Sequence, residues 1–140
     1  MSSYPNVPLQ RGNDWDRKTA QAVNHLLNQL TYYTFTVEGV PDAAQEIIDV
    51  EFPIPVKVVW DSCTFRLRDE VGVAPTADAQ VTFTAGGSTI ATGTILAGQS
   101  EGTISPTSTA VAAFRRFLVT APNPQDATLS DFIISLAVSE

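Results

Sequence analysis

AQVTFTAGGSTIATGTI, residues 79–95, decides the fold class. Ala79, Val81 and Phe83 alternate with Gln80, Thr82 and Thr84, a period of two that gives a strand one buried and one solvated face. Gly86-Gly87 follows, and paired glycines supply the positive φ that a two-residue hairpin turn needs. STIATGTI (88–95) is therefore the returning strand.

The same period extends in both directions. Upstream, Tyr33, Phe35 and Val37 alternate with Thr34, Thr36 and Glu38, and GVPDAA (39–44) reads as a turn. Strands are predicted at 45–52, 54–60 and 62–69, the last with Cys63, Phe65 and Leu67 facing in and Thr64, Arg66 and Arg68 facing out. VGVAPTADA (71–79) reads as a loop. Downstream, Gly98 and Gly102 bracket a second hairpin in TILAGQSEGTIS. AAFRRFLVT (112–120) and LSDFIISLAV (129–138) are the last strands, separated by the breaker APNPQDA. About eight short strands with Gly/Pro turns indicate an all-β domain over 31–140, a β-sandwich or jelly roll.

One helix precedes it. DWDRKTAQAVNHLLNQL (14–30) has Asn13 or Asp14 as a cap and Asp14 and Asp16 in its first turn, where the helix dipole favours negative charge. Thr19, Val23, Leu26 and Leu30 follow the 4-3-4 spacing of a narrow seam, with Leu27 beside it. A rod of this length, roughly 25 Å, is marginal alone in water and needs packing. The seam predicts self-association of helices from several copies; the bland alternative is packing on the sandwich of the same chain. Residues 1–13 hold Pro5, Pro8 and Gly12 with spaced apolar residues Tyr4, Val7 and Leu9. That composition has too little to bury alone; it reads either as a mobile terminus or, the reading taken here, as an extended attachment arm that docks Tyr4, Val7 and Leu9 into a partner.

Composition narrows the function. The apolar fraction of 44% is near the globular norm, whereas charged residues make up only 16%. The surface must rely on uncharged polar residues or be covered by partners. Net charge is −7, and the two lysines, Lys18 and Lys57, stand far apart. Phosphate binding needs clustered Lys and Arg, so nucleic acid is set aside as a partner. The single cysteine, Cys63, permits no internal disulfide and no thiolate metal cluster. Met1 leads into polar SSYPNVPLQRGND, which lacks the apolar core of a signal peptide, and no stretch has the length to span a membrane.

No catalytic, cofactor-binding or metal-ligating residue is assigned. A nucleophile–base site would have to use His25, the only histidine, which sits in the predicted helix far in sequence from Cys63. Cys63 alternates with apolar residues and reads as an inert core thiol. Glu46, Asp49 and Glu51 form a carboxylate cluster, with Asp49 and Glu51 on one strand face and Glu46 on the other. A solvated face explains them better than a glycosidase pair does. DEVGVAPTAD (69–78) lacks the alternating oxygen ligands of a calcium loop. Trp60 reads as core or sandwich rim. Tyr32 and Tyr33, at the helix–strand junction, suit either packing or an intersubunit contact.

Several phrases carry a resemblance. WDRKTAQAVNHLLN in the helix, FTVEGVPDAAQ (35–45), ATGTILAGQSEGTIS (91–105) and VTAPNPQDATLSDFIISLAV (119–138) together resemble the short fibre and fibre-adaptor proteins of tailed bacteriophages. The resemblance implies a virion structural protein: a homotrimer with helices bundled on the threefold axis. Its arm would be held by a capsid or tail protein, and its β domain would face outward. It transfers no site residue, because members that bind host glycans do so through diverse loops. The rival readings are a host-surface glycan-binding module and, less favoured, a depolymerising enzyme.

Overall fold

The computed structural model describes residues 30–140. The elements begin with β1 (Thr31–Val37), β2 (Glu46–Glu51) and β3 (Val56–Val58), followed by a 3-10 turn at Trp60–Ser62. Then come β4 (Thr64–Leu67), β5 (Ala79–Ala85), β6 (Ser88–Ile95) and β7 (Thr103–Pro106). Three more, β8 (Ala110–Val111), β9 (Arg116–Thr120) and β10 (Phe132–Ser139), complete the described chain.

The strands form two antiparallel sheets laid face to face, the arrangement of a β-sandwich. The first has the order β1-β10-β3-β8, with β4 also paired to β10; the second has the order β2-β9-β5-β6-β7. β10 organises the first sheet. It pairs with β1 over seven residues on one side, and with β4 and then β3 on the other. The predicted hairpin forms as read: Ala85 pairs with Ser88 across Gly86 and Gly87, whose φ values are +59° and +87°.

Alternation supplies the core. Phe65, Phe132, Ile134 and Leu136 from the first sheet meet Val81, Phe83, Phe117 and Val119 from the second, all with 1% exposure or less. Each such side chain contributes about 1.5–3 kcal/mol on leaving water. Gly93 of β6 faces inward opposite Val81, and its missing side chain makes room for Phe65 of the other sheet. A Cβ built there would lie 3.1 Å from both Phe65 and Val81 and 3.3 Å from Phe83. Gly93→Ala is expected to lower stability by about 1–2 kcal/mol through overpacking. A thermal melt checks it, and an unchanged midpoint would mean that the two sheets part more readily than this packing implies.

Four details differ from the sequence reading. Ten strands occur where about eight were predicted; β8, of two residues, is too short to show a period and had no predicted counterpart. The strand predicted at 54–60 stops at Val58, and the chain winds into the 3-10 turn at Trp60. Trp60 is buried there; its indole N–H donates to the Ser108 carbonyl at 2.8 Å, and its ring meets Phe83 edge-on. The strand predicted from 112 begins only at Arg116, because Phe114 takes a φ of +60° and breaks the extended run. Glu46 does not oppose Asp49: a register shift between Glu46 and Ile48 turns it to the same side.

Sheet edges differ in how they are protected. Edge strand β8 has two residues and β7 ends at Pro106, while β2 carries Glu46, Asp49 and Glu51 and a bulge. β1 (TYYTFTV) has no charge, no proline and no bulge, and its outer edge pairs with nothing among the described residues. Such an edge is a ready template for another chain.

Candidate functional site

The chain enters the sandwich at Leu30, which is half-buried and leads directly into β1. The segment after β2 runs past this point. Pro53 and Pro55 bracket Ile54, and two residues without an amide proton cannot prolong a ladder, so β2 ends and Ile54 faces outward. The end of β10 supplies Val138. Between these segments lies an open groove of about 600 Å³ lined by Leu30, Tyr32, Tyr33, Phe52, Ile54 and Val138, among others.

The groove has a rigid floor and an apolar rim. Phe52 is buried; its ring meets Tyr33 at 5.8 Å and Phe117 at 6.3 Å, both edge-on. Tyr32 is 60% exposed and Ile54 43% exposed. Phe114 is 70% exposed, and its backbone N–H donates to the Phe52 carbonyl at 2.8 Å. An exposed aromatic held at positive φ is costly for a residue with a Cβ. Tyr32, Tyr33, Phe52 and Ile54 share the lining of one groove, the pattern that marks a contact surface rather than scattered exposure.

Of the sequence-predicted interface residues, Leu30 lines this groove; Thr19, Val23 and Leu26 lie outside the described residues. So do the arm residues Tyr4, Val7 and Leu9, and His25. Tyr32 and Tyr33 also line the groove. Phe52 and Ile54 were missed, although the Pro-Ile-Pro bracket at 53–55 is a signal that could have found Ile54.

Two of the three carboxylates in the cluster, Asp49 and Glu46, are held by one arginine. Arg116 Nε and Nη2 donate to the two Asp49 oxygens at 3.1 and 2.8 Å, and Nη2 also reaches Glu46 Oε1 at 3.1 Å. The hydrogen bond from Arg116 holds the Asp49 carboxyl below its ordinary range. All three groups are exposed, so the pairs contribute little to stability. Asp78, in the loop weighed for calcium, accepts from the Ala97 N–H at 3.0 Å. Cys63 is half-buried and packs on the core; its Sγ accepts from the Ala137 N–H at 3.3 Å. Burial pushes its thiol pKa up. Alkylation of Cys63 at pH 8 should run at least about tenfold slower than that of a free cysteine. An equal rate would show that the thiol is accessible.

The other end of the sandwich holds a polar cleft of about 400 Å³, with Gln80, Thr82, Thr120 and Asn123 in its lining. Asp126 braces it. One carboxylate oxygen accepts from the N–H groups of Thr76 and Ala77 at 3.1 and 3.3 Å. The other accepts from the N–H groups of Thr128 and Leu129 at 2.9 and 3.0 Å, and from the Thr128 hydroxyl at 2.7 Å. Partial burial would raise this carboxyl, but the bonds from Thr128, Leu129 and Ala77 outweigh it and hold it well below the usual range. Compared with known proteins, the chain matches no family model and no curated sequence.

Proposed function

We propose that the chain is a non-enzymatic structural protein of a bacteriophage virion, a head or tail fibre, decoration or connector subunit. It acts through homo-oligomeric assembly, with residues 1–13 attaching it to a capsid or tail protein and residues 14–30 forming a coiled coil, most simply of three chains. The observation that carries this reading is the uncharged β1 edge, open among the described residues, at the point where the N-terminal segment joins the sandwich. A surface so placed suits contact between copies gathered by their helices. The resemblance to phage fibre proteins supplies the particle and the threefold symmetry.

The test is an electron density map of purified particles. Sandwiches clustered about a threefold axis on the head or tail are expected; absence of the chain from the particles by mass spectrometry overturns the reading.

A second reading, a host-surface glycan-binding module, draws on the polar cleft. Its amides and hydroxyls at Gln80, Thr82, Thr120 and Asn123 could bind sugar hydroxyls, and the cleft lies at the end away from Leu30. Among the described residues no aromatic side chain lines it to stack on a sugar ring, which ranks this reading second. Loss of glycan-array binding in Asn123→Ala would favour it; no binding by the intact protein would remove it.

A further inference from the structure

We infer that the groove at the chain's point of entry is the seat of Leu27 from the same chain, which fixes the direction of the N-terminal helix relative to the sandwich. Twenty-nine residues precede Leu30, and Leu30 itself lines the groove. Whatever the segment does further out, it joins the sandwich at Leu30, on the groove's lip. Three residues of extended chain reach no more than about 11 Å, so Leu27 cannot be far from it.

The sequence says which leucine is free to do this. In the helix predicted over 14–30, each residue advances by about 100°, so the adjacent Leu26 and Leu27 point in directions about 100° apart. Leu30 lies between them, three residues from one and four from the other, close enough to share a face with both. The seam Thr19/Val23/Leu26/Leu30 uses Leu26 and leaves Leu27 outside it. One apolar side chain thus lacks a place in the seam, and one apolar groove lacks a cover among the described residues. Tyr32 and Ile54, both well exposed, and the ring of Phe52 below them offer Leu27 an apolar surface. Among the described residues, the only ionisable group in the lining besides the two tyrosines is Glu140.

The consequence is mechanical. A helix joined to a sandwich through Leu30 alone could swing about that joint. With Leu27 seated beside it, helix and sandwich turn together, and the sandwich is presented at one set angle. The inference goes beyond the assembly reading and does not depend on it, since a lone chain could seat its own Leu27.

Full-length protein with Cys63→Ser as background, carrying Leu27→Cys and Ile54→Cys, tests the seat under mild oxidation. A disulfide within one chain, at the mass of a single protomer on non-reducing gels, is the expected result. Disulfide-linked dimers would overturn the inference by giving the groove to a neighbouring copy, and absence of either product would overturn it outright. A second measurement guards against misfolded cysteine variants. Hydrogen exchange at residues 30–33 and 52–56 should accelerate at least about tenfold in Leu27→Asp and much less in Leu26→Asp. Equal effects of the two substitutions contradict the inference. A wild type found to be monomeric by light scattering while forming the intrachain disulfide would sink the assembly reading and leave this one standing.

Discussion

Replacing Asp126 by Ala is expected to lower stability at pH 7 by about 3 kcal/mol, a fall in thermal midpoint of about 10 °C. The carboxylate gathers four backbone N–H groups from two segments distant in sequence, Thr76–Ala77 and Thr128–Leu129. Removing it leaves those donors to whatever water can reach them. Asp126 is only half-buried, so solvent takes up part of the loss, and the figure stands well below the sum of full hydrogen-bond energies. Asp126→Asn should fall between wild type and Ala, because an amide oxygen can keep the Thr128–Leu129 pair but cannot carry the charge.

The pH dependence has a definite sign. The folded-state pKa of Asp126 lies below its ordinary value, so its contribution is fully present above the unfolded pKa of about 3.9 and is lost as pH falls from there towards the folded value. Wild type should therefore lose stability steeply below about pH 4, and Asp126→Ala should show a flatter acid limb. Denaturant midpoints measured from pH 7 to pH 2 check both statements. Parallel acid limbs in the two proteins would mean that other carboxylates carry the acid sensitivity.

Asp126 also shows where sequence reading stopped. The phrase Gln125-Asp-Ala-Thr-Leu-Ser-Asp131 was legible as a distinctive pattern before a terminal strand, but its purpose was not. Its local half, Asp126 turning back onto Thr128, follows from short-range chemistry of a kind that Asp and Thr favour. Its long-range half, the capture of residues 76 and 77, depends on the sandwich bringing together segments about fifty positions apart. No local period encodes that.

The same division runs through the fold. The hairpin at 79–95 was readable because period-two alternation and Gly86-Gly87 act within a few residues. The bulge that turns Glu46 towards Arg116, and the positive φ that stops β9 short of Phe114, left no such local mark. In the candidate surface, Leu30, Tyr32 and Tyr33 were legible as a junction. Phe52 and Ile54 join them only because β2 ends beside the start of β1, a fact of sheet packing rather than of spacing.

Leu26→Asp is expected to convert the assembled protein to monomers while leaving the sandwich folded. A 17-residue helix is marginal by itself, so in the assembly reading most of its stability comes from the seam it shares with other copies. Leu26 stands at the centre of that seam, and a carboxylate placed there faces apolar residues and its own like-charged copies. Burying such a charge without a partner costs several kcal/mol in each chain, enough to shift association by about a hundredfold or more. Val and Leu at these positions do not choose between two strands and three, so the mass of the wild type itself measures the stoichiometry that the phage-fibre resemblance suggests. The β domain has its own core, built on Phe65, Phe83, Phe117 and Phe132 from both sheets, none of which belongs to the predicted seam. Light scattering should give a multiple of the protomer mass for wild type and the protomer mass for the variant, with the same far-ultraviolet β signal in both. A monomeric wild type would remove the assembly reading. Loss of the β signal in the variant would mean instead that Leu26 packs against its own sandwich and that the seam serves the fold rather than the oligomer.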